Sequence, residues 1–111
     1  MMDIQITTEN DVRIVRVNGK LDALSAARYE QVLNKAIAAG AERLVVDCQG
    51  LHYVSSAGLR ALLNTAKPLM AAGGQIIFAA LQPPVRAVFE MTNLLAIFTV
   101  RDTVASALAE L

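Results

Sequence analysis

Two adjacent serines, Ser55 and Ser56, are the residues of this chain best placed to do chemistry. They follow an apolar, strand-like run that ends in a turn, and they open a segment with apolar residues at helical spacing. This predicts serine hydroxyls at a helix N-terminus, where unpaired backbone N–H groups and the positive end of the helix dipole favour an anion. A phosphate group on one of these serines would be stabilised at that position. Helix capping alone is the simpler alternative for either serine.

The sequence offers little material for an enzyme active site. Cys48 and His52 are the only cysteine and histidine, which gives no zinc-binding spacing. We expect Cys48 to end a buried strand and His52 to lie in the following turn, so a thiol–imidazole pair is not favoured. Residues 54–58 lack the first glycine of a nucleophile elbow, and no phosphate-binding glycine loop is present. We therefore expect no enzymatic activity, no metal and no cofactor.

Composition limits the class of protein further. The chain has 111 residues, of which 55% are hydrophobic, and its formal net charge is zero. This length predicts a single domain over residues 1–111, and the absence of a basic stripe argues against nucleic-acid binding. The low charge fits a monomer or a weak homodimer. The single cysteine, the lack of a signal peptide and the lack of a long apolar run predict a cytoplasmic protein without a membrane segment.

The elements that position the serines follow from hydrophobic periodicity. The predicted order is β-β-α-β-α-β-α-β-α, which indicates an α/β fold with a mostly parallel sheet and an antiparallel edge. Asp22 or Ser25 can cap the first helix, and Asp102 or Thr103 the last. Pro68 is predicted to kink or shorten the second helix. The predicted strands cover residues 3–7, 12–17, 44–46, 76–81 and 95–100.

Five segments together resemble the STAS family, and in particular its small anti-sigma factor antagonists. They are the Asn-Gly-Lys-Leu-Asp entry to the first helix, the apolar strand before the serines, the Ser-Ser-Ala-Gly-Leu signature, the Gly-Gly turn into the next strand, and the third helix with its polar end. These segments cover residues 18–22, 44–47, 55–59, 73–77 and 84–94.

The resemblance implies a function in partner switching. The family's phosphorylated serine lies two residues before the glycine, which is Ser56 here, whereas Ser55 stands where the family often has aspartate. An unphosphorylated antagonist binds an anti-sigma factor that is also a serine kinase, and a metal-dependent phosphatase reverses the phosphorylation. The partner surface that we expect comprises Asp22, Ser55, Ser56, Ala57, Gly58 and Arg60.

For Arg60 the expectation comes from helical spacing, because it lies four residues after Ser56 and can face a phosphate there. Two alternatives to the antagonist function are open. One is an unphosphorylated structural subunit of a lipid-transport or sensory complex. The other is a domain that binds a small ligand near the carboxyl ends of its strands.

Overall fold

A six-stranded mixed sheet forms the centre of the fold in the computed structural model, which describes residues 2–111. The strand order is β1-β2-β3-β5-β6, and the short β4 pairs with the end of β2. The strands are β1 (Met2–Glu9), β2 (Val12–Leu21), β3 (Arg43–Asp47), β4 (Leu51–Val54), β5 (Gln75–Ala79) and β6 (Thr99–Arg101). The helices are α1 (Ala26–Ala38), α2 (Ser56–Ala71), α3 (Pro83–Met91) and α4 (Val104–Glu110).

The predicted α/β class and sheet type are confirmed. β1 and β2 form an antiparallel hairpin, and every other strand pair in the sheet is parallel. The hairpin turn places Asn10 and Asp11 at φ 49° and 66°. Asparagine and aspartate tolerate this left-handed region better than most residues, which explains why a two-residue turn forms here.

The sheet is covered unequally on its two faces. Helices α1, α2 and α3 bury the larger core, whose fully enclosed aromatic residues are Tyr29, Phe78 and Phe89. On the other face, α4 packs Ala107 over a smaller cluster that includes Val45 and Ile77. Because β3 and β5 are covered on both faces, every residue of each strand after the first is buried, and their central residues are apolar, as the sequence suggested.

The strand β4 was missed from the sequence, and His52 lies within it rather than in a turn. Only the first and last of its four residues are buried, so the segment shows no alternating pattern. It forms because β3 ends at Asp47 and leaves the far end of β2 without a neighbour. The chain returns there and pairs with residues 19–21, which extends β2 to Leu21 beyond its predicted end.

Pro68 does not shorten α2, which continues to Ala71; Pro68 and Asn64 are both exposed, so water can reach the carbonyl that loses its donor. One further expectation was wrong. The last strand does not span residues 95–100. A 3₁₀ turn occupies Leu94–Ala96, and the strand begins only at Thr99, because the apolar residues Leu94 and Phe98 are buried in the core.

The hydroxyl of Tyr29 is buried in the larger core without a hydrogen-bond partner among residues 2–111. Burial raises the pKa of this phenol. The neighbouring hydroxyl of Thr65 in α2 donates its proton to the carbonyls of its own helix. Its interaction with the phenol offsets only part of the desolvation cost of burying Tyr29.

We predict that Tyr29→Phe leaves the free energy of unfolding unchanged or raises it by up to about 1 kcal/mol, because it removes an unpaired buried group. Urea denaturation measures the change. Tyr29→Ala is the control and should lower stability by about 3 kcal/mol or more through the cavity it leaves. A clear loss of stability in Tyr29→Phe would show that the hydroxyl has a partner.

Candidate functional site

Ser55 and Ser56 occupy different positions at the start of α2. Ser55 is the N-cap residue with extended backbone, and its Oγ accepts a hydrogen bond of 3.2 Å from the N–H of Gly58. Ser56 is the first helical residue, its side chain is exposed, and it makes no side-chain hydrogen bond within residues 2–111. The capping alternative therefore holds for Ser55, while the Ser56 hydroxyl points into solvent at the helix start.

A close backbone approach fixes this helix start against the sheet. The N–H of Ser55 donates to the carbonyl of Leu21 at 3.0 Å. A Cβ atom at Gly58 would lie 2.3 Å from the same carbonyl oxygen, a distance no side chain can adopt. Glycine is therefore required two residues after Ser56, because the first turn of α2 packs directly on the last residue of β2.

Asp22 follows Leu21, so the structure brings it to the same end of the sheet as the serines. Its Oδ1 accepts a hydrogen bond of 3.0 Å from the N–H of Leu24, which is the main cause that lowers the pKa of this carboxyl. Ser25 is the residue before α1, but its hydroxyl donates to the carbonyl of Lys20 rather than capping the helix. Leu24 itself is 95% exposed, so the loop presents an apolar and an acidic side chain together.

Arg60 lies one turn after Ser56 on α2. Its side chain is exposed, and it forms no ion pair with any of residues 2–111. Ala57 and Gly58, also expected at the partner surface, are half-buried and buried, so Ala57 is the more accessible of the two. The first N–H groups of α2 lack partners inside the helix, as at any helix start.

Cys48 and His52 do not form a reactive pair. Cys48 is buried, burial raises the pKa of its thiol, and its Sγ donates to the carbonyl of Val46 at 3.6 Å. His52 is exposed on β4. Among the residues that the structure describes, no three histidine, cysteine or acidic side chains are grouped so that they could hold a metal ion.

A separate polar cleft of about 670 Å³ lies on the opposite face of the sheet, beside the start of α4. Asp47 is buried at its floor and accepts hydrogen bonds from Arg16 Nε at 3.3 Å and from the N–H of Gln49 at 3.1 Å. Sequence reasoning missed this pair. The only signal was an acidic residue directly after a buried apolar run. None of residues 55–60 lines the cleft.

The family model described as the STAS domain matches residues 3–107 of the chain. The chain is a STAS domain. The fold, with α2 starting beside the end of β2, is therefore the fold that the signature residues predicted. In addition, none of the helices formed by residues 2–111 has the length and apolar character needed to cross a bilayer.

Relatives of this STAS domain share one description. A Bordetella bronchiseptica protein, BtrV, is described provisionally as an anti-sigma factor antagonist; it is 36% identical over 86% of this chain and 83% of its own. The anti-sigma F factor antagonist of Paenibacillus polymyxa is 30% identical over 99% of this chain and 97% of its own length. The crystal structure of an anti-sigma factor antagonist from Mycobacterium paratuberculosis superposes with a TM-score of 0.90 and 25% sequence identity. The match covers 99% of this chain and 93% of that one.

The different hydrogen bonding of the two serines gives a prediction for stability. Ser55→Ala should lower the free energy of unfolding by about 1 kcal/mol, because the N–H of Gly58 loses its acceptor. Ser56→Ala is the matched control and should change stability by less than about 0.5 kcal/mol, as is usual at exposed positions. Chemical denaturation of both variants measures the difference, and equal effects would contradict the assignment of Ser55 as the cap.

Proposed function

We propose that this STAS domain is an anti-sigma factor antagonist whose binding to its partner is switched by phosphorylation of Ser56. The observation that carries the proposal is the free, exposed hydroxyl of Ser56 at the first residue of α2. The relatives support the general role, since the Paenibacillus polymyxa protein is named an anti-sigma F factor antagonist. The antagonist binds the anti-sigma factor when unphosphorylated and is released when phosphorylated.

The choice of Ser56 over Ser55 rests on accessibility. A kinase must bring its phosphoryl donor within bonding distance of the acceptor oxygen, which requires a side chain that can enter another protein's active site. Ser56 satisfies this condition. Ser55 is half-buried, and phosphorylating its Oγ would disturb the bond to Gly58 that begins the helix.

The switch follows from charge at the docking surface. A phosphoserine carries about −1.5 to −2 charges at pH 7. The helix N-terminus favours this charge by roughly 0.3–1 kcal/mol, so the fold is retained. A partner surface complementary to a neutral hydroxyl would instead have to desolvate the phosphate at a cost of several kcal/mol, and each 1.4 kcal/mol is a tenfold loss of affinity.

The proposed partners are an anti-sigma factor with serine kinase activity and a metal-dependent serine phosphatase. The domain itself catalyses nothing, requires no cofactor and acts in the cytoplasm. A chain with ten basic and ten acidic residues does not provide the positive field that nucleic-acid binding needs. The proposed partner surface comprises Asp22, Ser55, Ser56, Ala57, Gly58 and Arg60.

We predict that an anti-sigma factor kinase with ATP phosphorylates Ser56 and not Ser55. Mass spectrometry of the treated protein should place one phosphate on Ser56, and Ser56→Ala should remain unmodified. Ser55→Ala is the control and should still be phosphorylated, provided that α2 is folded. Phosphate on Ser55, or retained in Ser56→Ala, would contradict the assignment.

We predict that Asp22→Asn weakens binding of the anti-sigma factor by about tenfold, or ~1.4 kcal/mol, a scale typical of losing one interfacial charge. Asparagine keeps an oxygen that can accept the N–H of Leu24, so the loop should be preserved. Asp11→Asn makes the same charge change in the β1–β2 turn at the opposite end of β2, and should leave binding unchanged. Titration calorimetry compares the two, and equal affinities would exclude Asp22 from the interface.

We predict that Arg60 stabilises the dianionic form of phosphorylated Ser56. Phosphorus NMR should then give a second phosphate pKa below its reference of about 6. Arg60→Gln should raise this pKa toward the reference, while Lys67→Gln, an exposed cation near the other end of α2, should not. An unchanged pKa in Arg60→Gln would leave phosphate stabilisation to the helix N-terminus alone.

The second candidate function is an unphosphorylated structural subunit, in which the start of α2 is only a docking surface. Ser55 favours neither function, because its capping bond forms in both cases. The kinase experiment separates them: a domain that binds its partner but is never phosphorylated by any kinase encoded beside it belongs to the second class.

A further inference from the structure

The outer edge of β1 has no neighbouring strand within residues 2–111, because β1 ends the sheet on that side. The strand is eight residues long and pairs with β2 in one continuous register from Met2↔Gly19 to Glu9↔Val12. Alternate residues of such a strand direct their N–H and C=O groups away from the paired neighbour. β1 therefore presents an ordered row of unsatisfied backbone groups that another strand can bond.

Most of the usual devices that block edge-to-edge pairing are absent from β1. Natural edge strands are protected by lysine, proline, bulges or short length. β1 contains no lysine, arginine or proline, its register has no bulge, and its only charged residues are Asp3 and Glu9 near its two ends. β6, at the other end of the sheet, has only three residues and includes Arg101, which is paired with Glu110.

An uncovered apolar side chain accompanies this edge. Ile4 is buried in the larger core, whereas Ile6, two residues further on the same face, is 38% exposed because no helix reaches it. A strand laid against β1 would supply a neighbour for Ile6 on that face. A strand that pairs with this edge should therefore place an apolar side chain beside Ile6, on the face of the sheet that the helices cover.

We propose that the outer edge of β1 pairs with β1 of a second copy of this chain, antiparallel and around a two-fold axis that passes between the Gln5 residues of the two copies. An antiparallel pairing of identical strands needs an axis perpendicular to the sheet, which keeps the helix-covered faces of both copies on one side. Residues that lie opposite one another then point to the same face of the sheet. Even-numbered residues therefore oppose even-numbered residues, and odd-numbered residues oppose odd-numbered residues. Only two such registers pair seven residues of each β1 strand.

Charge selects between these two registers. The register centred on Ile6 places Asp3 opposite Glu9 of the other copy at both ends, and like charges directly opposite are destabilising. The register centred on Gln5 places Asp3 opposite Thr7, Ile4 opposite Ile6, and Gln5 opposite its own counterpart. It therefore opposes no two acids and covers both Ile6 side chains with Ile4 side chains.

The expected dimer is weak. A single added strand pair buries less than the roughly 1,200–2,000 Å² of stable protein interfaces, so association should appear only at high protein concentration. A formal net charge of zero does not oppose it. Residues 55–60 lie outside the pairing, so the dimer presents two accessible Ser56 sites. The proposed pairing therefore does not depend on the proposed phosphorylation.

Disulfide trapping tests the register. Gln5→Cys places two thiols directly opposite one another, with Cα atoms about 4.5–5.5 Å apart, which allows a disulfide. Thr7→Cys is the matched control, because Thr7 opposes Asp3 and lies about 14 Å from its own counterpart. Mild oxidation should give at least tenfold more covalent dimer for Gln5→Cys; the native Cys48 is buried and should not take part. Equal trapping of both variants, or trapping of neither, would overturn the proposal.

Sedimentation analysis of the unmodified chain, from micromolar to near-millimolar concentration, tests the association itself. Concentration-dependent dimerisation is expected, and Ile6→Lys should weaken it at least tenfold while circular dichroism shows an unchanged fold. Thr99→Lys, the same kind of change on the exposed face of β6 at the other sheet edge, should have no effect. A chain that stays monomeric, or a dimer that is lost in Thr99→Lys and kept in Ile6→Lys, would show that β1 is not the interface.

Discussion

The carbonyl of Leu21 is the contact on which the geometry of the serine site depends. It ends β2, it accepts the N–H of Ser55, and it occupies the space that a side chain at position 58 would need. The strand end and the helix start are therefore held at backbone contact rather than through side chains. Any larger residue than glycine at position 58 would push α2 away from the sheet and move Ser56 with it.

Three hydrogen bonds fix the connection between β3 and β4, which leads to the site. The carboxylate of Asp47 accepts the N–H of Gln49, the Gln49 carbonyl accepts a hydrogen bond of 2.6 Å from Gln82 Nε2, and the Gly50 carbonyl accepts the N–H of Gly19. These bonds turn the chain from the end of β3 onto the free end of β2. β4 is thus a product of tertiary contacts, and its four residues need little strand propensity of their own.

This explains what the sequence could and could not predict. The helices and the central strands bury whole faces, so their periodicity is visible in one dimension, and the order of elements was predictable. β4 and the true position of the last strand were not, because short segments are decided by neighbours distant in sequence. The resemblance of residues 55–59 to the family signature singled out Ser56 as the candidate site, but which serine caps α2 depended on a hydrogen bond from the N–H of Gly58 to Ser55 Oγ that no pattern reveals.

The different hydrogen bonding of the two serines would allow a rigid helix start to accept the reversible modification that we propose. If one hydroxyl had to both cap the helix and accept the phosphate, each phosphorylation would remove the bond that positions the acceptor. With Ser55 holding the first turn, the phosphorylation that we propose at Ser56 would leave this capping bond in place. The two proposed states would then differ in surface charge rather than in fold. That difference acts at full strength only on a partner that covers the helix start and excludes water from it, because exposed charges are screened by solvent and salt.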